Sequence, residues 1–175
     1  MSNLLSNTQG SCTVLRDSVS FMGSLSVYRK YTDGTLDLAF TEDNLIVLNG
    51  RLHLLGGLCS GGSVSSIGST SFISTLRAGT GGTIDPEGKF PKPVTKTLTA
   101  LFNEVSSSSV SYTADLSYPS ITFVSEIPNE SNNGVLISEA GLFFEDGSMF
   151  NIKTFPGIPK TLDFSIVFQW TIRIN

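Results

Sequence analysis

The sequence predicts a mainly-β fold, an antiparallel β-sandwich or a partly open barrel with one α-helix (about residues 42–56) packed against it. Three observations carry that expectation. First, Leu162, Phe164, Ile166, Phe168, Trp170, Ile172 and Ile174 occupy every even position of the last stretch. The residues between them are polar except Val167, an alternation that puts one face on a core and the other toward water or a polar neighbour. Second, Asp33-Gly34, Asn133-Gly134 and Asp146-Gly147 punctuate apolar runs, as hairpin turns do. Third, the 175 residues are 39% hydrophobic and include 12 Phe, but only 15% are charged, with 26 Ser, 17 Thr and 17 Gly making up the difference. That is enough apolar mass for a core and excludes a disordered chain, whose signature is few aromatics and high net charge.

Residues 1–18 show no periodicity and are rich in Ser, Asn and Thr, so they read as an extended arm preceding a single β-rich domain of residues 19–175. Val19, Phe21, Gly23, Leu25 and Val27 then share one strand face. A turn at Thr32–Thr35 leads into Leu36, Leu38 and Phe40, which complete a hairpin. Thr41-Glu42-Asp43 has the composition of a capped helix start. Leu45, Leu48, Leu52 and Leu55 follow at helical spacing, up to a stop at Gly56-Gly57. Gly50 inside this run costs about 1 kcal/mol relative to Ala.

Residues 59–71 read as a Ser/Gly loop and Ser71–Ala78 as a short strand. Pro86, Pro91 and Pro93 then break regular structure, and Thr95–Val105 is either one short helix or an extended edge. Ser106–Ser109 reads as a polar break. The strands after it are Val110–Leu116, Ile121–Ile127, Val135–Phe144 and Met149–Phe155, with a loop at Pro156–Pro159 before the final strand. At about 3.3 Å per residue that last strand reaches some 45 Å, which calls for a large sheet or a partner subunit to cover it.

The residues that carry chemistry do not converge in the sequence. His53 is the only histidine, so no histidine-based metal cluster can form, and it reads as a surface or partly packed helix residue. Cys12 and Cys59 are too few for a disulfide framework. Gly57-Leu58-Cys59-Ser60-Gly61 has the spacing of a nucleophile elbow, but it follows a helix and enters a loop, the reverse of what the motif needs. Gly79-Thr80-Gly81-Gly82 lacks the remaining glycine of a dinucleotide fingerprint (position 84 is Ile84), and Gly88-Lys89 lacks the flanking residues of a phosphate loop. A tight turn with positive-φ glycines is the expectation there.

Glu139, within Ile137–Leu142, has no positioned acid–base partner and is expected to pair with a lysine or a backbone amide. Lys89, Lys92 and Lys96 read as a mild, solvated basic patch. Asn129-Glu130-Ser131 is a glycosylation sequon, expected to be silent because Met1–Asn7 has neither the basic start nor the apolar run of a secretory signal. The net charge of −4 argues against nonspecific nucleic-acid binding. No run reaches the 18 or so apolar residues of a membrane helix. No catalytic, cofactor-binding or metal-ligating residues are expected, and the chain reads as a non-enzyme.

Three blocks, in order, carry a resemblance. They are Asp43–Arg51 with the leucines after it; Ile73–Thr83 with Thr97–Val105; and Ile137–Phe143 with Asp146–Phe150, Lys153–Phe155, Ile158–Thr161 and the final strand. Over about residues 41–175 this succession resembles structural proteins of tailed-bacteriophage virions, closest to tail-collar fibre amino-terminal domains and related small tail and neck proteins. The resemblance implies a virion subunit, made in the host cytoplasm, that docks on a tail, collar, baseplate or fibre-attachment surface. Its partners would be copies of itself and other virion proteins, with the 1–18 arm as a clamp. Under it, Glu139–Phe143 and the Asp146-Gly147 turn are scaffold positions. The chain has no repetitive shaft or receptor-binding tip, which suits an adaptor better than a complete fibre. The alternatives are a capsid decoration protein and a host-surface carbohydrate-binding module, for which Tyr28, Tyr31, Tyr112 and Tyr118 are the stacking candidates.

Overall fold

The computed structural model describes residues 20–58, 71–115 and 117–174. Eleven elements follow in chain order. They are β1 (Phe21–Tyr31), β2 (Leu36–Asp43), β3 (Leu45–Ile46), α1 (Leu48–Leu58), β4 (Ile73–Gly79) and β5 (Glu104–Ser109), then β6 (Ser111–Asp115), β7 (Ser120–Ile127), β8 (Leu136–Phe144), β9 (Asn151–Pro159) and β10 (Phe164–Ile174). The strands form two five-stranded antiparallel sheets, in the orders β2-β1-β10-β7-β6 and β3-β9-β8-β4-β5, and no closed barrel. The fold is therefore mainly β, a sandwich with one short helix.

The alternation of the final strand sets the core. Phe164, Ile166, Phe168, Trp170 and Ile172 are buried in it, facing Leu76, Leu142, Phe150 and Phe155 of the opposite sheet. The cover expected for so long a strand comes from within the chain. β1 pairs with β10 from Phe21↔Ile174 to Tyr31↔Phe164, and β7 pairs with its other edge. Leu162 lies outside the strand and is exposed, because Thr161 and Asp163 make a polar turn ahead of it.

Two crossings lace the sides of the sandwich, Asn44 passing from β2 to β3 and Val110 from β5 to β6. At the first, the Asn44 amide donates to Gly23 O (2.6 Å) and accepts from Trp170 Nε1 (2.8 Å) and Asn151 Nδ2 (2.7 Å). The buried Asn151 carbonyl oxygen in turn accepts from Leu142 N at 2.9 Å. One side chain thus joins both sheets and pairs the buried indole N–H, which would otherwise be left without an acceptor. Gly23 leaves room for it, since a Cβ there would lie 1.8 Å from the Asn44 amide.

β8 is buried on both faces. A register shift between Ile137 and Glu139 changes its parity, so Ile137, Ala140, Leu142 and Phe144 face the main core. Glu139, Gly141 and Phe143 then point outward, where the irregular segment 80–103 covers them. Val94, Leu98 and Leu101 of that segment close a second core with Val47, Phe143, Met149 and Ile152.

Several elements depart from the sequence expectation. The helix runs over Leu48–Leu58, not 42–56: Thr41, Glu42 and Asp43 finish β2, and Leu45–Ile46 pairs with Asn151–Ile152 of β9. Sheet pairing outcompetes the leucine periodicity, and Leu48 and Leu55 are left half exposed while Leu54 packs on the core. Ser106–Ser109 is strand rather than break, because an edge strand tolerates small polar residues and Ser108 Oγ bonds Ser125 Oγ at 2.6 Å. Val110 is the corner, so the strand after it begins at Ser111. Thr95–Asn103 is neither helix nor extended edge. Pro156–Pro159 belongs to β9: β3 flanks that strand only at Asn151–Ile152, and the far half lies at the edge, where a missing N–H costs no ladder bond. Leu36 and Leu38 alternate as expected but are exposed at the hairpin tip. The arm (residues 1–18), most of the 59–71 loop, Cys12 and Cys59 lie outside the described residues.

Gly50 has a packing reason, since a Cβ there would sit 2.2 Å from Phe150 O, just ahead of β9. Gly50→Ala gains about 1 kcal/mol of helix propensity yet is expected to lower the melting temperature by about 3–8 °C, because a backbone carbonyl must move. Differential scanning calorimetry checks this, and a raised melting temperature contradicts the packing account.

Candidate functional site

Two features stand out, an open cleft at one end of the sandwich and a set of buried polar groups that brace the outer cover. The cleft has a volume of about 670 Å³. Ile172, Ile121, Phe123 and Tyr112 line it from the first sheet, Ile73, Phe144 and Phe150 from the second, and His53 and Leu54 from α1. The cleft lies at the end where β10 finishes and β1 begins, with α1 along one side. The walls are almost wholly apolar.

At the rim, His53 stacks on Phe144 with ring centroids 3.9 Å apart. Its Nε2 lies 3.2 Å from Ser148 Oγ, which donates to Asp146 Oδ1 at 2.6 Å. Asp146 Oδ2 is 3.7 Å from the same Nε2. The Ser148 hydroxyl and amide, with a smaller contribution from His53, hold the Asp146 carboxyl below the usual carboxylate range. A nucleophilic triad needs the imidazole between serine and carboxylate, with one ring nitrogen for each. Here the serine proton goes to the carboxylate, and both groups meet one edge of the ring. Chemically the trio is a latch from α1 to the β8–β9 turn, where Gly147 adopts φ 81°. His53 is partly packed, as its position on the helix suggests.

Glu139 is fully buried and, among the described residues, is bound by backbone amides rather than by a lysine or an acid–base partner. Oε1 accepts from Gly81 N (3.0 Å) and Asn103 N (2.7 Å), and Oε2 accepts from Phe102 N (2.9 Å). Ser138 Oγ takes Gly82 N at 3.0 Å beside it. The two ends of the cover are therefore pinned to one carboxylate. The expected positive-φ turn at Gly79–Gly82 is not what these glycines do. Positive φ occurs at Gly34, Gly88, Gly134 and Gly147, whereas a Cβ at Gly79 or Gly82 would strike Asn103 O (2.3 Å) or Ser138 O (2.0 Å). They are small so that the cover can lie close to β8.

The middle of the cover is set by Asp85, whose carboxylate accepts from Lys89 N (2.8 Å) and Phe90 N (2.7 Å). These backbone bonds, led by that from Lys89, lower its pKa. The resulting tight loop presents Ile84 (66% exposed) and Phe90 (61%) to solvent. Of the three lysines, Lys89 and Lys96 are exposed, and the Lys92 ammonium sits 4.8 Å from the Phe102 ring centre.

Lys160 is a buried cation with no mark in the sequence pattern. Its ammonium donates to Asn129 O (3.0 Å), Asn133 Oδ1 (3.1 Å) and Thr161 O (2.7 Å). Burial lowers its pKa, and the Glu130 charge partly opposes that. Its work is to gather the 128–134 turn, so Asn129 of the sequon is a structural acceptor through its carbonyl. Of the tyrosines, Tyr112 and Tyr118 are exposed while Tyr28 and Tyr31 are half buried. Among the described residues, no group of three or more His, Cys, Asp or Glu side chains is placed to hold a metal ion, and no helix is long and apolar enough to cross a membrane. The chain matches no protein-family model, no curated protein and no solved structure.

Glu139→Gln keeps the shape but turns an amide NH₂ toward backbone N–H donors. The expected loss is about 2–3 kcal/mol, or about 4–12 °C in melting temperature, with proteolytic cleavage appearing first in segment 80–103. An unchanged melting temperature and cleavage pattern would show that the carboxylate does not hold the cover.

Proposed function

We propose that this chain is a non-enzymatic structural subunit of a tailed-bacteriophage virion, an adaptor in the tail, collar, baseplate or fibre-attachment region that contacts copies of itself and other virion proteins. The observation that carries the assembly part is the display of large apolar side chains on braced elements. Ile84 and Phe90 stand on the Asp85-locked loop, Leu36 and Leu38 on the β2 hairpin, and Phe72 and Tyr112 at the cleft. Each is more than half exposed, in a chain with only 15% charged residues. Large apolar groups held exposed on rigid elements are what protein–protein surfaces present, and a low overall charge lessens the desolvation that covering them costs.

The virion part rests on the resemblance of the three sequence blocks. Their residues form the scaffold of the fold: the third supplies β8, the Asp146-Gly147 turn, β9 and β10, and the second supplies β4 and the end of the cover. That distribution suits a family likeness in a framework rather than in a catalytic centre. A capsid decoration role uses the same surface chemistry and differs in where the subunit sits.

The test is antibody-gold labelling of intact particles of the encoding phage, with mass spectrometry of purified virions. Label at the tail, collar or baseplate is the expected result. Label spread over the head replaces the adaptor role with decoration. Absence of the protein from purified virions overturns the virion reading.

A further inference from the structure

The cleft also has an origin for its occupant beside it. A hollow of about 240 Å³ adjoins it, lined by Phe21 and by Leu54, Ile121 and Ile172, three residues that also line the cleft. Phe21 opens β1, so the first described strand begins beside the apolar cleft. Away from the His53 latch the cleft lining includes two exposed aromatic side chains, Phe72 at 65% and Tyr112 at 66%. Upstream of Phe21, Val14 and Leu15 form an apolar pair, and no glycine or proline interrupts Ser11–Ser20. At about 3.3 Å per residue, Val14 reaches up to some 23 Å from Phe21.

We propose that the cleft receives the amino-terminal segment of a second copy of this chain, with Val14 and Leu15 entering between the two sheets. The proposal rests on the assembly reading above and gives it a contact. When the origin of an arm and a receptor for that arm share one mouth, a two-fold axis that brings two mouths together places each arm beside the other's cleft. The exchange is then reciprocal and closes as a dimer. The same docking covers Phe72 and Tyr112. Asp115, at the edge of the hollow, supplies a counter-charge for Arg16, the residue after Leu15. A cleft walled by aromatic and branched aliphatic side chains takes up such a pair by the ordinary hydrophobic effect.

The experiment uses full-length chains and the native Cys12, two residues before Val14. One copy carries Tyr112→Cys, Cys12→Ser and Cys59→Ser; the co-expressed second copy carries Cys59→Ser alone. Under mild oxidation the expected result is a disulfide-linked dimer on non-reducing gels, joining Cys12 to position 112. Its yield should be at least tenfold above a control with Leu36→Cys, at the opposite end of the first sheet. Leu15→Asp in the second copy should reduce that yield to the control level. A link that forms only inside a single chain carrying both cysteines would mean that the arm fills its own cleft, and overturns the proposal. No link in either arrangement overturns it as well and leaves the cleft for another apolar ligand. Sedimentation equilibrium of the native full chain separates the two readings. A self-associating chain without the Cys12 link loses this inference alone, whereas a chain that stays monomeric at high concentration loses self-assembly too.

Discussion

Burial of β8 on both faces is the constraint on which the rest depends. A strand that packs inward on the β10 face and outward under an irregular cover must satisfy polar groups on both sides. Glu139 does this on the outer side. Its two oxygens take three backbone N–H groups from segment 80–103, a stretch without regular hydrogen bonding of its own that would otherwise leave those donors unpaired. The parity change at Ile137–Glu139 puts the carboxylate there and keeps Ala140, Leu142 and Phe144 in the main core. With the cover in place, Val94, Leu98 and Leu101 complete a second core, and the Asp85 loop has a fixed base from which to present Ile84 and Phe90.

Asn44 has the matching role on the inner side. Its amide ties Gly23, Trp170 and Asn151 together at the point where the chain changes sheets. The sandwich is therefore held by short polar links at its crossings and by apolar packing between them. What these links do not close is the end where α1 sits. The helix is short, Gly50 draws it against Phe150, and the latch of His53 to Ser148 holds it to one wall. The opening lies beside the helix, at the end where β1 begins.

Much of the framework is legible in the sequence and much of the site is not, for separable reasons. The strict alternation of Phe164–Ile172 gives the core face directly, and the glycine of Asp33-Gly34 and of Asp146-Gly147 marks a turn through its positive φ. The helix is misplaced because Leu45, Leu48, Leu52 and Leu55 have helical spacing, while a two-residue pairing with β9 captures the first of them. β5 escapes notice because four consecutive serines carry no hydrophobic signal; their place in the sheet comes from backbone pairing with β4 at an edge and from a hydroxyl pair. Burial of Glu139 shows in its apolar neighbours, but its donors stand 36 to 58 residues earlier in a loop with no pattern. The glycines of Gly79–Gly82 signal a turn when read alone, and only the nearness of Ser138 and Asn103 reveals close approach. Lys160 and the cleft are products of tertiary convergence, to which local periodicity is blind.

The most direct test of this account is native-state hydrogen exchange, followed by NMR, at the amides of Gly81, Phe102 and Asn103. If the Glu139 carboxylate anchors the cover, these amides exchange within about tenfold of the β8 amides, although they lie in irregular chain. Exchange at close to free-loop rates, with β8 still protected, would contradict the claim that the buried carboxylate holds the cover and its second core in place.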